Sequence, residues 1–102
     1  DPQNIQGIVD NANSLYHTPK LFGGNKKEAL QLFRKAMLLV EKSGNTHNNW
    51  FYLNILTLTA QAHESLEQYS QAKAQYEKIL RFEPEYKWVK NELYPALLNK
   101  MK

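Results

Sequence analysis

Apolar residues recur at three- and four-residue steps along most of this chain, the spacing that lines up one face of an α-helix. The most regular stretch is Leu56–Pro84, LTLTAQAHESLEQYSQAKAQYEKILRFEP. It predicts two amphipathic helices joined by a very short turn and closed by a proline. Upstream, Ile5, Ile8, Val9, Ala12, Leu15 and Tyr16 mark a first helix. It should end near His17, because Pro19 disfavours helical geometry at Thr18. Asn11, Asn13 and Ser14 are weak helix formers, so packing must supply most of its stability. In the KLFGG loop that follows, two glycines allow a tight turn, and Leu21 and Phe22 are expected to tuck inward.

Asn25 with Glu28 three residues on is close to a capping box and opens a second helix. Ala29, Leu32, Phe33, Ala36, Met37 and Val40 form its stripe up to Lys42, with Gly44 as a left-handed terminator. The polar connector SGNTHNN precedes a third helix from about Asn49 to Leu66, with Trp50, Leu53, Ile55, Leu58 and Ala62 as apolar bulk. A fourth runs from about Ser70 to Phe82, with Ala72, Tyr76, Ile79 and Leu80 inward. A fifth, from about Glu85 to Met101, carries Trp88, Val89, Leu93, Leu97 and Met101 on one side. Pro95 should kink or break it near Tyr94. The resulting expectation is one all-α domain over residues 1–102. It divides into a first, divergent hairpin (5–42), a second hairpin (49–84) and a capping helix (85–101).

Composition narrows the function classes. The 102 residues are 42% apolar and 23% charged, with a net charge of +3; that balance suits a single globular domain. Lys26, Lys27, Lys35, Lys73 and Lys78 are interleaved with Glu28, Glu41, Glu77 and Glu83. A nucleic-acid binder would gather its cations on one face, so no nucleic-acid partner is expected. With no cysteine, disulfides and thiolate metal sites are excluded. No apolar run approaches the roughly 18–20 residues needed to span a bilayer. The chain opens Asp1-Pro2 without a signal peptide, so it reads as a processed or excised piece whose compartment is unknown.

Within Leu56–Pro84 the spacings are specific: Ala60 and His63 three apart, Ala72 and Tyr76 four apart, Pro84 at the boundary. Small residues let antiparallel helices approach closely, and a ring one turn away fills the space between neighbouring pairs. This resembles the tetratricopeptide repeat (TPR), a ~34-residue helix-turn-helix with an Ala-x3-aromatic signature and a closing Pro. Leu56 stands where the family often has Trp, Thr59 for a usual leucine, His63 for a usual tyrosine and Ile79 for a usual alanine. Tyr69 fits the turn. Ala29-x3-Phe33 and Ala36 form an earlier copy; the two Ala-x3-aromatic motifs lie 43 residues apart (72 minus 29). The resemblance implies a TPR-like α-solenoid of antiparallel hairpin repeats, about five helices with a C-terminal cap. Such units usually stack about three deep, so this chain reads as one end of a longer array or as a self-associating homo-oligomer.

Nothing in the residues announces a reaction. His17, His47 and His63 are the only groups suited to acid-base work near neutral pH, and no two share an i, i+3 or i, i+4 spacing. His63 sits where the repeat wants an aromatic, and reads as a packing residue. Ser14, Ser43, Ser65 and Ser70 read as helix-end or surface residues. No enzyme activity, cofactor or metal is expected. What remains is a surface. In the TPR family the first helix of each pair lines a concave groove for an extended peptide or partner helix. On this chain that implies Gln6, Asn13, Tyr16 and His17 from the first helix, and Asn54, Thr57, Gln61 and Glu64 from the third. Their amides and hydroxyls can hydrogen-bond a peptide backbone. The family's carboxylate clamp is missing, since Thr57 and Gln61 stand where basic and Asn residues would be wanted. The expected function is a protein-interaction or scaffolding module, the alternatives being a structural or self-association domain or an accessory domain of a larger protein.

Overall fold

A computed structural model of the chain describes residues 4–44 and 49–102. His47 and most of the SGNTHNN connector lie outside the described residues, as do the first three. The described chain is helical throughout, with no strand: α1 (Ile5–His17), α2 (Lys26–Ser43), α3 (Asn49–Ser65), α4 (Tyr69–Phe82) and α5 (Tyr94–Lys100). Consecutive helices pack against one another, and the whole measures 39 × 37 × 18 Å. The shortest dimension leaves room for two layers of helices at the usual 8–10 Å spacing.

Each boundary follows from local chemistry. The Asn4 side chain caps α1 by accepting from the Gly7 N–H at 3.2 Å. Asn25 caps α2 by accepting from the Glu28 N–H at 3.0 Å. The box is only half formed, because the Asn25 N–H donates to the Leu15 carbonyl and ties the loop to the end of α1. Gly23 takes the left-handed conformation at φ 96°. Gly24 is required for space: a Cβ there would lie 1.7 Å from the Thr18 carbonyl oxygen. Leu21 and Phe22 do not tuck inward. They form a single 3₁₀ turn with Lys20 and stand 87% and 74% exposed, since the loop is held to the end of α1 by backbone hydrogen bonds and not by these side chains.

The core takes Val9 and Ala12 from α1, and Ala29, Leu30, Phe33, Ala36, Met37 and Val40 from α2. From α3 and α4 come Leu53, Ile55, Leu56, Ala60, Ala62, Ala72, Tyr76 and Ile79. α3 is buried on most of its circumference. Its Thr59, in place of the leucine expected from the repeat, is buried with its hydroxyl donated to the Ile55 carbonyl at 2.8 Å. His63 is buried as well and pairs through Nδ1 with Gln68 Oε1 at 2.8 Å. In the α3–α4 turn the Gln68 N–H reaches the His63 carbonyl and the Glu67 N–H that of Glu64. Glu67 sits left-handed at φ 58°, completing a Schellman closure with a residue that is not glycine.

Across the layers, Glu41 accepts from Lys78 Nζ at 2.7 Å and from the Tyr52 hydroxyl. Burial alone would raise the Glu41 carboxyl pKa. The hydrogen bonds from Lys78 and Tyr52, with the Lys78 charge, outweigh it and leave it below the usual value. After Pro84 the helical backbone runs over 87–100 and widens into a π turn at Val89–Leu93. The cause is Pro95. It has no N–H to donate one turn back, and the Tyr94 N–H bonds the Val89 carbonyl five residues earlier. The helix is thus re-registered without a break. Of the five apolar residues expected inward here, Val89 and Leu97 are buried and Leu93 is half-buried, whereas Trp88 and Met101 stand 43% and 40% exposed.

Candidate functional site

A cavity of about 190 Å³ opens where the C-terminal ends of α1, α3 and α5 meet. It is lined by Tyr16 of α1, by Gln61, Glu64 and Ser65 of α3, and by Tyr76 of α4. Leu93 and Lys100, before and at the end of α5, complete it. Three helices separated in sequence thus converge on one concavity, with α4 supplying a single ring.

Its chemistry is that of a polar network anchored on one carboxylate. Glu64 Oε1 accepts from the Tyr76 hydroxyl at 3.1 Å, and Oε2 accepts from Lys100 Nζ at 2.5 Å. The Glu64 side chain is 16% exposed, against 53% for Lys100. Burial, followed by the charge and hydrogen bond of Glu64, pushes the Tyr76 phenol well above its usual pKa. The same carboxylate holds the Lys100 ammonium above its ordinary value. The Tyr16 hydroxyl shares a 2.5 Å hydrogen bond with Ser65 Oγ and donates to the Gln61 carbonyl at 3.4 Å. Lys26 Nζ lies 4.0 Å from the Tyr16 ring centroid and donates to its carbonyl at 3.0 Å, which fixes the ring from behind.

The eight residues singled out in the sequence separate clearly. Tyr16, Gln61 and Glu64 come together in the cavity. Gln6 is exposed on α1 and bonds Asp10 at 2.9 Å. His17 is exposed with its ring edge-on to Tyr16. Asn13 is half-buried, Asn54 is exposed, and neither makes a hydrogen bond through its side chain among the described residues. Thr57 is the exception. It is 1% exposed, and its hydroxyl is donated to the Leu53 carbonyl at 2.7 Å, so it presents nothing to a ligand. The open stripe of α3 is Trp50, Asn54, Leu58, Gln61 and Ser65, rotated by less than one residue from the expected face.

Ser65 was legible as the residue one turn beyond Gln61. Lys100 and Leu93 were not, because their place depends on how the fifth helix docks after the π turn. Trp50, expected in the core, is 76% exposed on the same stripe as Gln61. Among the described residues no cluster of three or more His, Asp or Glu could hold a metal ion. No described helix is long and apolar enough to cross a membrane. Comparison of the chain with family models, curated proteins and solved structures finds no match in any of the three.

Proposed function

We propose that this chain is a non-catalytic protein-interaction or scaffolding module of TPR-like helical-repeat architecture. An extended peptide or partner helix would lie along α1, α3 and α5, over the cavity at Tyr16, Gln61 and Glu64. The observation that carries this reading is the mixture of used and unused polar groups along that face. Glu64, Tyr76 and Lys100 are tied into the fold, whereas Asn13 and Asn54 keep their amides free of hydrogen bonds among the described residues. A rigid anchor beside unused donors and acceptors is what recognition of a peptide backbone needs. The repeat reading is supported by the full burial of Ala60, Ala72 and Tyr76, and of Ala29, Phe33 and Ala36 at the corresponding earlier positions.

A peptide-display selection against the immobilised chain tests this. Recovered peptides should bind the parent and lose most of their affinity for Asn54→Arg and Gln61→Arg, which place a long cation on the stripe. Peptides that bind both variants as well as the parent would overturn the assignment of this face. A second reading, self-association, is favoured by the outward Leu21 and Phe22. Light scattering that finds a dimer in the parent and a monomer in the Leu21→Ser/Phe22→Ser variant would select it.

A further inference from the structure

At the opposite end of α3 from Glu64, roughly 21 Å away at 1.5 Å per residue, lies a second concavity of about 480 Å³. It is lined by Trp50, Glu83, Glu85, Tyr86, Lys87 and Trp88. These include the chain's two tryptophans, exposed at 76% and 43%. Indole surface is costly to leave in water, and two of them in one cleft mark a place where something docks.

The arrangement of the rings says what kind of group suits it. Tyr86 neighbours both indoles, its centroid 6.5 Å from each. Its plane makes 87° with Trp50 and 56° with Trp88. No stacking platform for a flat ligand results. Instead, three rings of differing orientation line one cleft, and the exposed face of such a ring attracts a cation. The carboxylates point the same way. Glu85 lies 3.9 Å from Lys90, a loose exposed pair. Among the described residues Glu83 accepts only the Glu85 backbone N–H, at 3.5 Å, so most of its lone-pair capacity remains unused. Among the described residues, Lys87 in the cleft lining and Lys90 beside Glu85 oppose a cation; both are exposed on flexible stems, so their ammonium groups can turn away into water.

We propose that Trp50, Tyr86, Trp88 and Glu83 form a receiving corner for the basic side chain, arginine or lysine, of a partner polypeptide. The ring faces attract the cation's charge and cover its apolar stem, and Glu83 supplies the counter-charge. This corner shares only Trp50 with the open stripe of α3; Glu83, Tyr86 and Trp88 lie outside the peptide face proposed above, so variants at Glu83 and Lys87 test the corner separately from that face.

Because both tryptophans line this cleft, intrinsic tryptophan fluorescence reports on it selectively. The probe is a Gly-Arg-Gly tripeptide blocked at both ends, titrated at fixed ionic strength beside its norleucine and glutamate counterparts. The arginine peptide should shift the emission saturably, with at least about fivefold tighter binding than the norleucine peptide. Glu83→Gln should weaken it about fivefold and Lys87→Gln should strengthen it, while circular dichroism stays unchanged. Equal binding of the norleucine peptide would overturn the proposal by reducing the corner to an apolar patch. Preference for the glutamate peptide, or no saturable response to any of the three, would overturn it as well. Lys87 is exposed, so its variant keeps the test open even if Glu83→Gln disturbs the turn at Pro84.

Discussion

Replacing Glu64 by leucine removes the acceptor on which the cavity's polar network depends. The Tyr76 hydroxyl sits on a fully buried residue and loses its charged partner. A hydrogen bond to a charged group contributes about 1.5–3 kcal/mol. The adjoining cavity of about 190 Å³ can admit water to the orphaned hydroxyl, which places the cost near the lower end of that range. Lys100 is half exposed, so the lost ion pair adds no more than about 0–1 kcal/mol. The expected loss for Glu64→Leu is therefore about 1.5–2.5 kcal/mol. Glu64→Gln keeps an oxygen for Tyr76 and should lose only about 0.5 kcal/mol, the exposed ion-pair contribution. Tyr76→Phe should lose about 1 kcal/mol. Once Tyr76 is phenylalanine, removing Glu64 should cost markedly less, giving a coupling near 1 kcal/mol in the double-mutant cycle. Urea unfolding followed by circular dichroism, read at constant slope, measures all four proteins. Equal losses for Leu and Gln at position 64, with an additive cycle, would refute the placement of Tyr76 on that carboxylate.

Glu67→Gly should stabilise the chain by about 0.5–1 kcal/mol, since glycine adopts the left-handed turn at φ 58° without a Cβ penalty; a lower urea midpoint would contradict the Schellman closure. Ala72→Trp places a large ring at a fully buried helix contact and should cost at least about 1–3 kcal/mol, checked by loss of the parent's cooperative melt. Gly24→Ala should lower the melting temperature, because the Thr18 carbonyl occupies the space of a Cβ; a variant melting with the parent would mean that the loop is not folded back on α1. Acid unfolding should report Glu41. A carboxyl held below its unfolded value of 4.5 contributes stability that is complete above that pH and is lost as the pH falls toward the folded pKa. Glu41→Gln should therefore flatten the acid limb below about pH 4.5 and lower stability by about 1 kcal/mol at neutral pH, and an unchanged limb would contradict the pairing with Lys78 and Tyr52.

The helices were legible because their signals are local. Asn25 caps, Gly44 terminates, and the apolar period of α2 and α4 holds a single face. α3 was harder. It is apolar on most sides, so periodicity says little about which narrow stripe stays open, and the groove face implied by the repeat includes Thr57, whose hydroxyl is spent on the Leu53 carbonyl. Trp50, Leu21 and Phe22 misled in the other direction. Hydrophobicity predicts burial only where the fold supplies a surface to bury against: among the described residues Trp50 meets the Tyr86 ring and stays 76% exposed, and Leu21 and Phe22 stand 87% and 74% exposed on the KLFGG loop. Half of the candidate cavity comes from groups whose meeting is purely tertiary. Lys100 and Glu64 are 36 residues apart, and they meet only because the π turn before Pro95 sets the direction of α5.

A partner peptide across α1, α3 and α5 would change the surroundings of the amides on those helices. Amide chemical-shift mapping of the isotopically labelled chain, titrated with a peptide recovered by display, tests it most directly. The largest shifts should fall on Asn13, Tyr16, Asn54, Gln61 and Ser65, with Arg34 and Lys35 on the outer side of α2 unmoved. Shifts concentrated on α2, with Asn54 and Gln61 unchanged, would contradict it.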